Sequence, residues 1–420
     1  MAQPPLPSDR KIPRVPQLLR QEERNRGAYD PKAVSFGPYH HGKQELQLCQ
    51  QVKPFVLRSF LMGSSQTKEF FFFKILPVVS AARDCYIEGS TDAYTDEAFA
   101  EMMLLDGCFL IYYVLACIGS VLVDQGCHFL VYKHLGRLLY SLINRDIFLM
   151  ENQIPLFIVR LLIDSRYGDA AGWEEALREF MHKTIWGVYK QQHVHRVQQK
   201  ELQPPPLDLF EAFRQVLFWD WTPEAQTLNH EDLKQHYNTF RSVKDLKSKG
   251  IHFGPSSYKS LEAIDFRSFT LYGRLQLPTW FVSSLSKVFF LNMIAYEICP
   301  NTLVDTKVIS YVGFMKSLLD GPADVKELRE KRILLTDLGG DDEVVQLYRD
   351  LDTYGMGSVW HFQEVKQRIQ IHYDSKTKTW MAELIHDYLR SPWTFIAWLA
   401  ALFILILTFM QTYFTINPRN

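Results

Sequence analysis

The sequence predicts a mainly α-helical protein, with a large helical globular body, one small β-hairpin element and one C-terminal transmembrane helix. Two observations predict this fold class. Apolar residues recur at helical spacing through most of the 420-residue chain. An uncharged apolar run then occupies residues 393–416. Because 47% of the residues are apolar and 22% are charged, the chain can bury a sizeable core.

Apolar residues at helical spacing divide the body into a series of predicted helices. Thr95, which is followed by acidic residues, is typical of a helix N-cap. Residues 263–277 instead alternate apolar and polar side chains, which predicts the hairpin. Pro155 fits the first turn of a helix. The predicted helices cover residues 45–62, 69–86, 95–123, 135–150, 155–163, 173–189, 207–218, 232–240, 284–299, 304–319, 343–350, 362–374 and 379–389.

The chain is expected to have a simple linear organisation. We predict a mobile N-terminus over residues 1–12 and a helical globular domain over residues 13–390. A transmembrane helix over 391–416 and a short tail over 417–420 follow. The proline-rich stretch 203–207 marks a sub-division of the body.

The C-terminal run has the length and the flanking residues of a membrane span. As a helix, its 24 residues would extend about 36 Å, enough for a hydrocarbon core of roughly 30 Å. Trp393 and Trp398 at one end and Tyr413 at the other match an interfacial aromatic belt. The sequence therefore predicts that the lipid bilayer is a partner and that the protein lies at the plasma membrane or an endomembrane.

Charge on either side of the run indicates the orientation. Lys376, Lys378 and Arg390 precede it, and only Arg419 follows it. The positive-inside rule then places the body in the cytosol. The N-terminus has no apolar signal segment, so the span would be inserted after synthesis as a tail anchor.

A second apolar run favours a buried helix. Residues 108–123 are uncharged but lie between Asp106 and Asp124, and 16 residues suit a core helix better than a span.

Composition and motif content argue against several function classes. The formal net charge of -1 disfavours nucleic-acid binding. The six cysteines form no C-x-x-C pair, and we interpret them as free thiols. The sequence contains no phosphate-cradling glycine loop, G-x-S-x-G elbow or H-E-x-x-H pair. No cofactor or metal is therefore predicted.

Two groups of polar residues stand out inside apolar surroundings. In the first, Gly37-Pro38 indicates a fixed turn, and His40 and His41 have no third metal ligand at close spacing, which favours a structural role. In the second, Asp106 and Glu151 are the candidate acid and base of a hydrolase, but a satisfied buried network at a helix junction is favoured. The residues assigned to this structural motif are Pro38, His40, His41, Asp106, Glu151, Asn152, Gln153 and Pro155.

Seven segments together resemble the plant family known as domain of unknown function 247. Almost the whole chain takes part in the resemblance. It implies a plant membrane-associated protein without established enzymatic activity, and some members are tied genetically to self-incompatibility in grasses. The segments are 12–16 (IPRVP), 34–42 (VSFGPYHHG), 105–109 (LDGCF), 150–155 (MENQIP), 241–253 (RSVKDLKSKGIHF), 292–299 (NMIAYEIC) and the end from Pro392 to Thr412.

Three functions remain open from the sequence. The leading hypothesis is a membrane-anchored, non-enzymatic plant interaction or signalling protein whose helical body binds a protein partner not yet identified. The first alternative is a cell-recognition determinant of the grass self-incompatibility type. The second is a membrane-bound hydrolase that uses the buried carboxylates Asp106 and Glu151.

Overall fold

The structure is a computed structural model, and it confirms a mainly helical protein with a few small strands. The predicted helices at 232–240 and 379–389 lie outside the described residues. The structure describes residues 10–168, 172–187, 204–218, 241–300, 302, 305–356, 361–375 and 392–416.

Before the first strand, the described ranges consist of helices joined by loops. Helix α5 begins after Thr95, whose hydroxyl accepts a hydrogen bond from the Ala98 N–H, as the N-cap prediction requires. Gly136 (φ 68°) kinks α6. The helices are α1 Gln17–Arg20, α2 Gln47–Leu61, α3 Lys68–Ile75, α4 Val79–Asp84, α5 Asp96–Ile118, α6 Gln125–Asp146, α7 Leu156–Tyr167, α8 Trp173–Trp186, α9 Leu209–Val216 and α10 Val243–Ser248.

Two small sheets follow α10. Strands β2 and β3 form the predicted antiparallel hairpin, and β1 pairs with β3 in parallel, which gives the order β1-β3-β2. Strands β4 and β5 form a parallel pair that the alternation pattern did not predict, because each strand has only three residues. The strands are β1 Ile251–Pro255, β2 Asp265–Ser268, β3 Gly273–Leu277, β4 Trp280–Val282 and β5 Leu334–Thr336.

The second half ends in further helices. The unpredicted α13 begins at Pro322, a residue that suits a first helical turn. Helix α15 packs on β2, and α16 is the C-terminal apolar helix. The helices are α11 Ser284–Ile298, α12 Lys307–Leu318, α13 Pro322–Glu330, α14 Asp341–Asp350, α15 Gln363–Asp374 and α16 Pro392–Ile416.

One core joins both halves of the described chain. A continuous cluster of buried apolar side chains runs from Ile12 to Ile369, on both sides of the proline-rich stretch at 203–207. Leu207, at the end of that stretch, is buried, and its carbonyl accepts a hydrogen bond from the Leu156 N–H. This hydrogen bond holds Leu207 against the start of α7.

The ordered chain begins earlier than the sequence predicted. Ile12 is fully buried, and its N–H donates to the Cys85 carbonyl at 2.6 Å. The predicted mobile segment over 1–12 is therefore wrong at its end, whereas residues 1–9 lie outside the described ranges. The predicted helix over 69–86 is also divided, into α3, a 3-10 turn at Leu76–Val78 and α4, because Pro77 cannot donate a helical hydrogen bond.

Two helices in the described ranges are long and apolar enough to cross a membrane. In α5, 72% of the apolar stretch is buried, as the buried-helix prediction requires, and this helix packs against α2, α7 and α8. In α16, the stretch Ile396–Tyr413 is 0% buried.

Candidate functional site

A buried loop over residues 29–42 passes between the helices and brings the predicted motif residues together. Its backbone N–H groups have no strand or helix partner over most of this length, so side chains satisfy them. Asp106 from α5, Asp146 from α6 and Asn152 from the α6–α7 junction all accept hydrogen bonds from this loop. The loop is thereby fixed to two helices and to the junction that follows α6.

Asp106 forms a fully buried ion pair with Lys53 of α2. The Lys53 Nζ lies 2.5 Å from Asp106 Oδ1, and the two side chains are 0% and 1% exposed. Lys53 also donates to the Ser35 carbonyl at 2.6 Å, and the second Asp106 oxygen accepts from the Gly37 N–H at 2.8 Å. Both charges are therefore paired and hydrogen-bonded, which is the condition for burying them without a large penalty.

The Glu151 carboxylate is likewise occupied by hydrogen bonds and an ion pair. Its carboxylate accepts from the Val15 N–H at 2.6 Å and from Arg20 at 2.5 Å, and His40 Nε2 lies 3.3 Å away. Burial alone would raise the pKa of Glu151, but His40, Arg20 and the Val15 N–H together hold this pKa below its usual value. The carboxylate is thus kept ionised and is not prepared to donate a proton.

Asp146 and Asn152 hold the first part of the loop. One Asp146 oxygen accepts from the N–H groups of Ala33 and Val34 at 2.6 and 3.0 Å, and Arg145 donates to the other at 2.8 Å. Burial still raises the pKa of Asp146 above its ordinary value. The Asn152 amide accepts from Phe36 N–H and donates to the Val34 carbonyl.

Gln153 and Gly37 form the tightest approach in the site. A Cβ at Gly37 (φ 70°) would lie 2.5 Å from the Gln153 carbonyl oxygen and 2.8 Å from the Tyr86 hydroxyl, so only glycine fits there. Tyr86 donates to that same carbonyl at 3.0 Å. The Gln153 side chain joins the junction to α9 by accepting from the Phe210 N–H.

The two histidines and two prolines of the motif each have different surroundings. His40 is buried between Glu151 and Asp30, with Nδ1 4.0 Å from Asp30 Oδ1. His41 packs edge-on against Tyr94, and burial lowers the pKa of its imidazole. The Pro38 carbonyl accepts from the Tyr94 hydroxyl at 3.3 Å. Pro155 directly precedes α7 as its N-cap residue.

Two further buried carboxylates, Glu297 and Asp208, accept hydrogen bonds from helix N-termini elsewhere in the body. Glu297 of α11 accepts from the N–H groups of Val308 and Ile309, and Arg214 donates to it at 2.9 Å. Asp208 caps α9, where burial and the nearby charge of Glu211 raise its pKa to about 7. These carboxylates satisfy helix N-termini, which is a structural use of charge.

Sequence reasoning missed several partners. Lys53 and Arg20 neutralise the predicted carboxylates, and Arg145 pairs with Asp146. One signal for Lys53 was present: it lies in register with the buried residues Cys49 and Val56 on one face of α2. No local pattern identified Arg20, whose partner Glu151 lies 131 residues away.

The candidate site has few features of a substrate-binding site. A crevice of about 170 Å³ lies beside Asn152 and Gln153, but neither Asp106 nor Glu151 lines it. The crevice has no room for a water-sized sphere, so it is not a ligand pocket of the usual kind. Within the described ranges, no group of three or more His, Cys, Asp or Glu side chains could hold a metal ion. The carboxylates of the hydrolase hypothesis point into packed protein and are already paired.

Comparison with known proteins identifies the chain's relatives. The chain is 26% identical over 415 residues to the UPF0481 protein At3g47200 of Arabidopsis thaliana. The alignment covers 92% of this chain and 83% of that protein. It is 21% identical over 479 residues to the putative UPF0481 protein At3g02645 of the same plant, covering 92% and 87%. No solved structure is significantly similar.

A family model supports the same assignment. The DUF247 model, described as a plant protein of unknown function, matches residues 12–407. That range includes the loop, both motif carboxylates and the first part of α16. This chain therefore belongs to the DUF247 family of plant proteins of unknown function.

Proposed function

We propose that this protein is a membrane-anchored, non-enzymatic interaction or signalling protein. Helix α16 would cross the bilayer, and the helical body would present a binding surface to a protein partner. The body would lie in the cytosol, at the plasma membrane or an endomembrane. The buried polar network would hold that surface rigid rather than perform chemistry.

One observation carries the anchoring part of the proposal. Helix α16 is 25 residues long, and the apolar stretch Ile396–Tyr413 is 0% buried against the body. A fully exposed apolar surface of this length is unfavourable in water and favourable in a hydrocarbon core. Trp398 and Tyr413 are exposed near its two ends, at the positions of an interfacial belt. Trp393 lies in the first turn of the same helix.

The geometry of the carboxylates supports a non-enzymatic role. A general acid and base must reach a common substrate atom. Asp106 is committed to Lys53 and the Gly37 N–H, and Glu151 to Arg20 and the Val15 N–H. Freeing Asp106 would leave the buried Lys53 ammonium without its partner. The hydrolase hypothesis has no comparable support.

Topology mapping tests the proposal. The chain has no Asn-x-Ser/Thr acceptor, so an engineered site after Asn420 and another near Met1 would each be read without background in plant microsomes. We expect glycosylation of the C-terminal site alone. Modification of the N-terminal site would place the body outside the cytosol and favour a cell-recognition role. Modification of neither site, together with release of the full chain at high pH, would contradict anchoring.

The partner requires a separate test. Cross-linking of the full chain in intact microsomes should join the body to a discrete protein, and the cross-links should map to exposed residues of 10–375. If only lipid is labelled across several tissues, the interaction part of the proposal fails while the anchoring part stands.

A further inference from the structure

The tip of the β2–β3 hairpin exposes large apolar side chains. Phe269, Leu271 and Tyr272 lie in the connecting turn and are 43%, 46% and 41% exposed. The rings of Phe269 and Tyr272 stack with their centroids 4.8 Å apart. Three exposed apolar side chains at the end of a short hairpin form a patch of the kind that marks a protein or membrane contact. We name Phe269, Leu271 and Tyr272 the hairpin tip.

A row of basic side chains lies next to the hairpin tip. The strand register places His252 of β1 beside Arg274 of β3, and Arg274 beside Arg267 of β2. All three are on the exposed face of the sheet, whereas Leu275 and Phe266 are buried on the other face. Arg267 also donates to Asp265 at 3.1 Å. The row therefore places the guanidinium groups of Arg267 and Arg274 behind the apolar tip.

The hairpin tip lies where the chain leaves the body for α16. Helix α15 runs along β2 toward the tip: Arg368 contacts Asp265 at 3.2 Å, and His372 contacts Ser268 at 2.8 Å. The helix ends at Asp374, two residues after His372.

Only residues 375–391 join α15 to α16. This length limits the separation of the two helix ends to roughly 60 Å even for a fully extended chain. If α16 spans a bilayer, a connection of this length allows the hairpin tip to reach that bilayer's surface.

We propose that the hairpin tip and its basic row form a contact with the anionic phospholipid surface of the membrane that α16 crosses. This inference rests on the anchoring proposed above. Phe269 and Tyr272 enter the headgroup region, where amphipathic aromatic rings are favoured. Arg267 and Arg274 then lie at the level of the lipid phosphates, where each positive charge is attracted to an anionic leaflet. The body is thereby held in one orientation on the membrane.

The charge of the surface favours lipid over a second copy of the chain. Two copies meeting through this face would place two arginine rows against each other, and like charges in contact oppose association. An anionic bilayer instead offers both the apolar depth for the tip and the negative charge for the row.

Site-specific fluorescence in the full chain tests the contact. An environment-sensitive fluorescent amino acid is placed at Leu271, at Leu405 in α16, or at Phe281, in separate proteins. Phe281 is the matched control, because it is 46% exposed like Leu271 but lies in β4, beyond the opposite end of β3. Each protein is reconstituted into nanodiscs of brominated phosphatidylcholine, with or without phosphatidylserine.

We expect the label at 271 to shift to the blue and to lose emission in discs containing phosphatidylserine, and the label at 281 to change little. Arg274→Glu should reduce the loss at 271 without altering that at 405, and high salt should act in the same direction. Loss at 405 without loss at 271 would overturn the lipid contact and leave the anchor intact.

The remaining outcomes are also decisive. No loss at 405 would contradict the proposed anchor itself, independently of position 271. A blue shift at 271 without bromolipid quenching would mean that protein covers the tip, such as a second copy, and would overturn the lipid contact. Equal quenching at 271 and 281 would show general adsorption of the body and no specific contact.

Discussion

Helices α5 and α16 have similar length and hydropathy but opposite surroundings. Both are long enough and apolar enough to cross a membrane, but 72% of the apolar stretch is buried in α5 and 0% in α16. Helix α5 carries Asp106 at its centre, and that charge is neutralised by Lys53 of α2. Helix α16 carries no charged residue along residues 392–416.

The difference shows how packing, rather than hydropathy, decides the role of an apolar helix. A helix in a protein core can contain a charge when neighbouring elements supply a counter-ion and backbone donors. A helix in lipid has no such donors on its outer surface, so a charge there is costly and rare. Asp106 in α5 is thus consistent with a helix made for a protein interior.

The largest effect should follow from removing the counter-ion of α5. We expect Lys53→Met to destabilise the body by about 3–5 kcal/mol, because Asp106 is left buried and unpaired. Thermal or denaturant unfolding of the full chain in mild detergent measures the change. Lys68→Met is the matched control, since Lys68 also pairs with an acidic residue of α5, Glu101, but at the exposed surface. That variant should lose less than about 1 kcal/mol. Equal losses would refute the special role of the buried pair.

A charge in α16 should affect insertion and not folding. Leu405 is 67% exposed near the middle of the apolar stretch. We expect Leu405→Lys to raise the free energy of membrane insertion by about 2.5–3.5 kcal/mol. Glycosylation of the engineered C-terminal site reports the inserted fraction, and Leu405→Ile serves as the control. If Leu405→Lys instead lowers the unfolding midpoint of the body while insertion is unchanged, α16 is a docked helix and not a span.

Much of the helical architecture was predictable, because amphipathic spacing and caps are local signals. The bounds predicted for α5 and α11 agree with the structure at their N-terminal ends, where Thr95 and Ser283 are N-caps. The hairpin was predicted because the alternation of apolar and polar residues over 263–277 is also a local signal. Strands β1, β4 and β5 were missed, since each is short and its partner is not its neighbour in sequence.

A smaller effect should follow from filling the close contact between α5 and α7. A Cβ at Gly107 would lie 2.5 Å from Leu162 Cδ1, and Leu162 is itself fully buried. We expect Gly107→Val to cost roughly 1–3 kcal/mol through overpacking. Ala400→Val in α16 is the control, and it should leave unfolding of the body unchanged because Ala400 is exposed. An unfolding curve for Gly107→Val that matches the native one would mean that α7 can move away freely.

The candidate site was predictable in its members but not in its connections. Asp106, Glu151 and Asn152 stood out as polar residues in apolar segments, and each is buried in the structure. Their partners are far away in sequence: Lys53 lies 53 residues from Asp106, and Val15 lies 136 residues from Glu151. Spacing within one segment carries no information on such pairs. Asp146 was missed, although three loop N–H groups converge on it.

The smallest effect concerns the start of α5. Thr95 accepts from the Ala98 N–H at 3.2 Å, which satisfies one of the donors left free at a helix N-terminus. We expect Thr95→Ala to destabilise the body by about 1 kcal/mol and Thr95→Ser to restore most of the loss, measured by the same unfolding experiment. Because α5 packs against α2, α7 and α8, fraying of its first turn is transmitted to the common core. A change confined to α16 has no such route, since none of its apolar stretch is buried against the body. If Thr95→Ala had no effect on unfolding, α5 would be held by its packed centre alone.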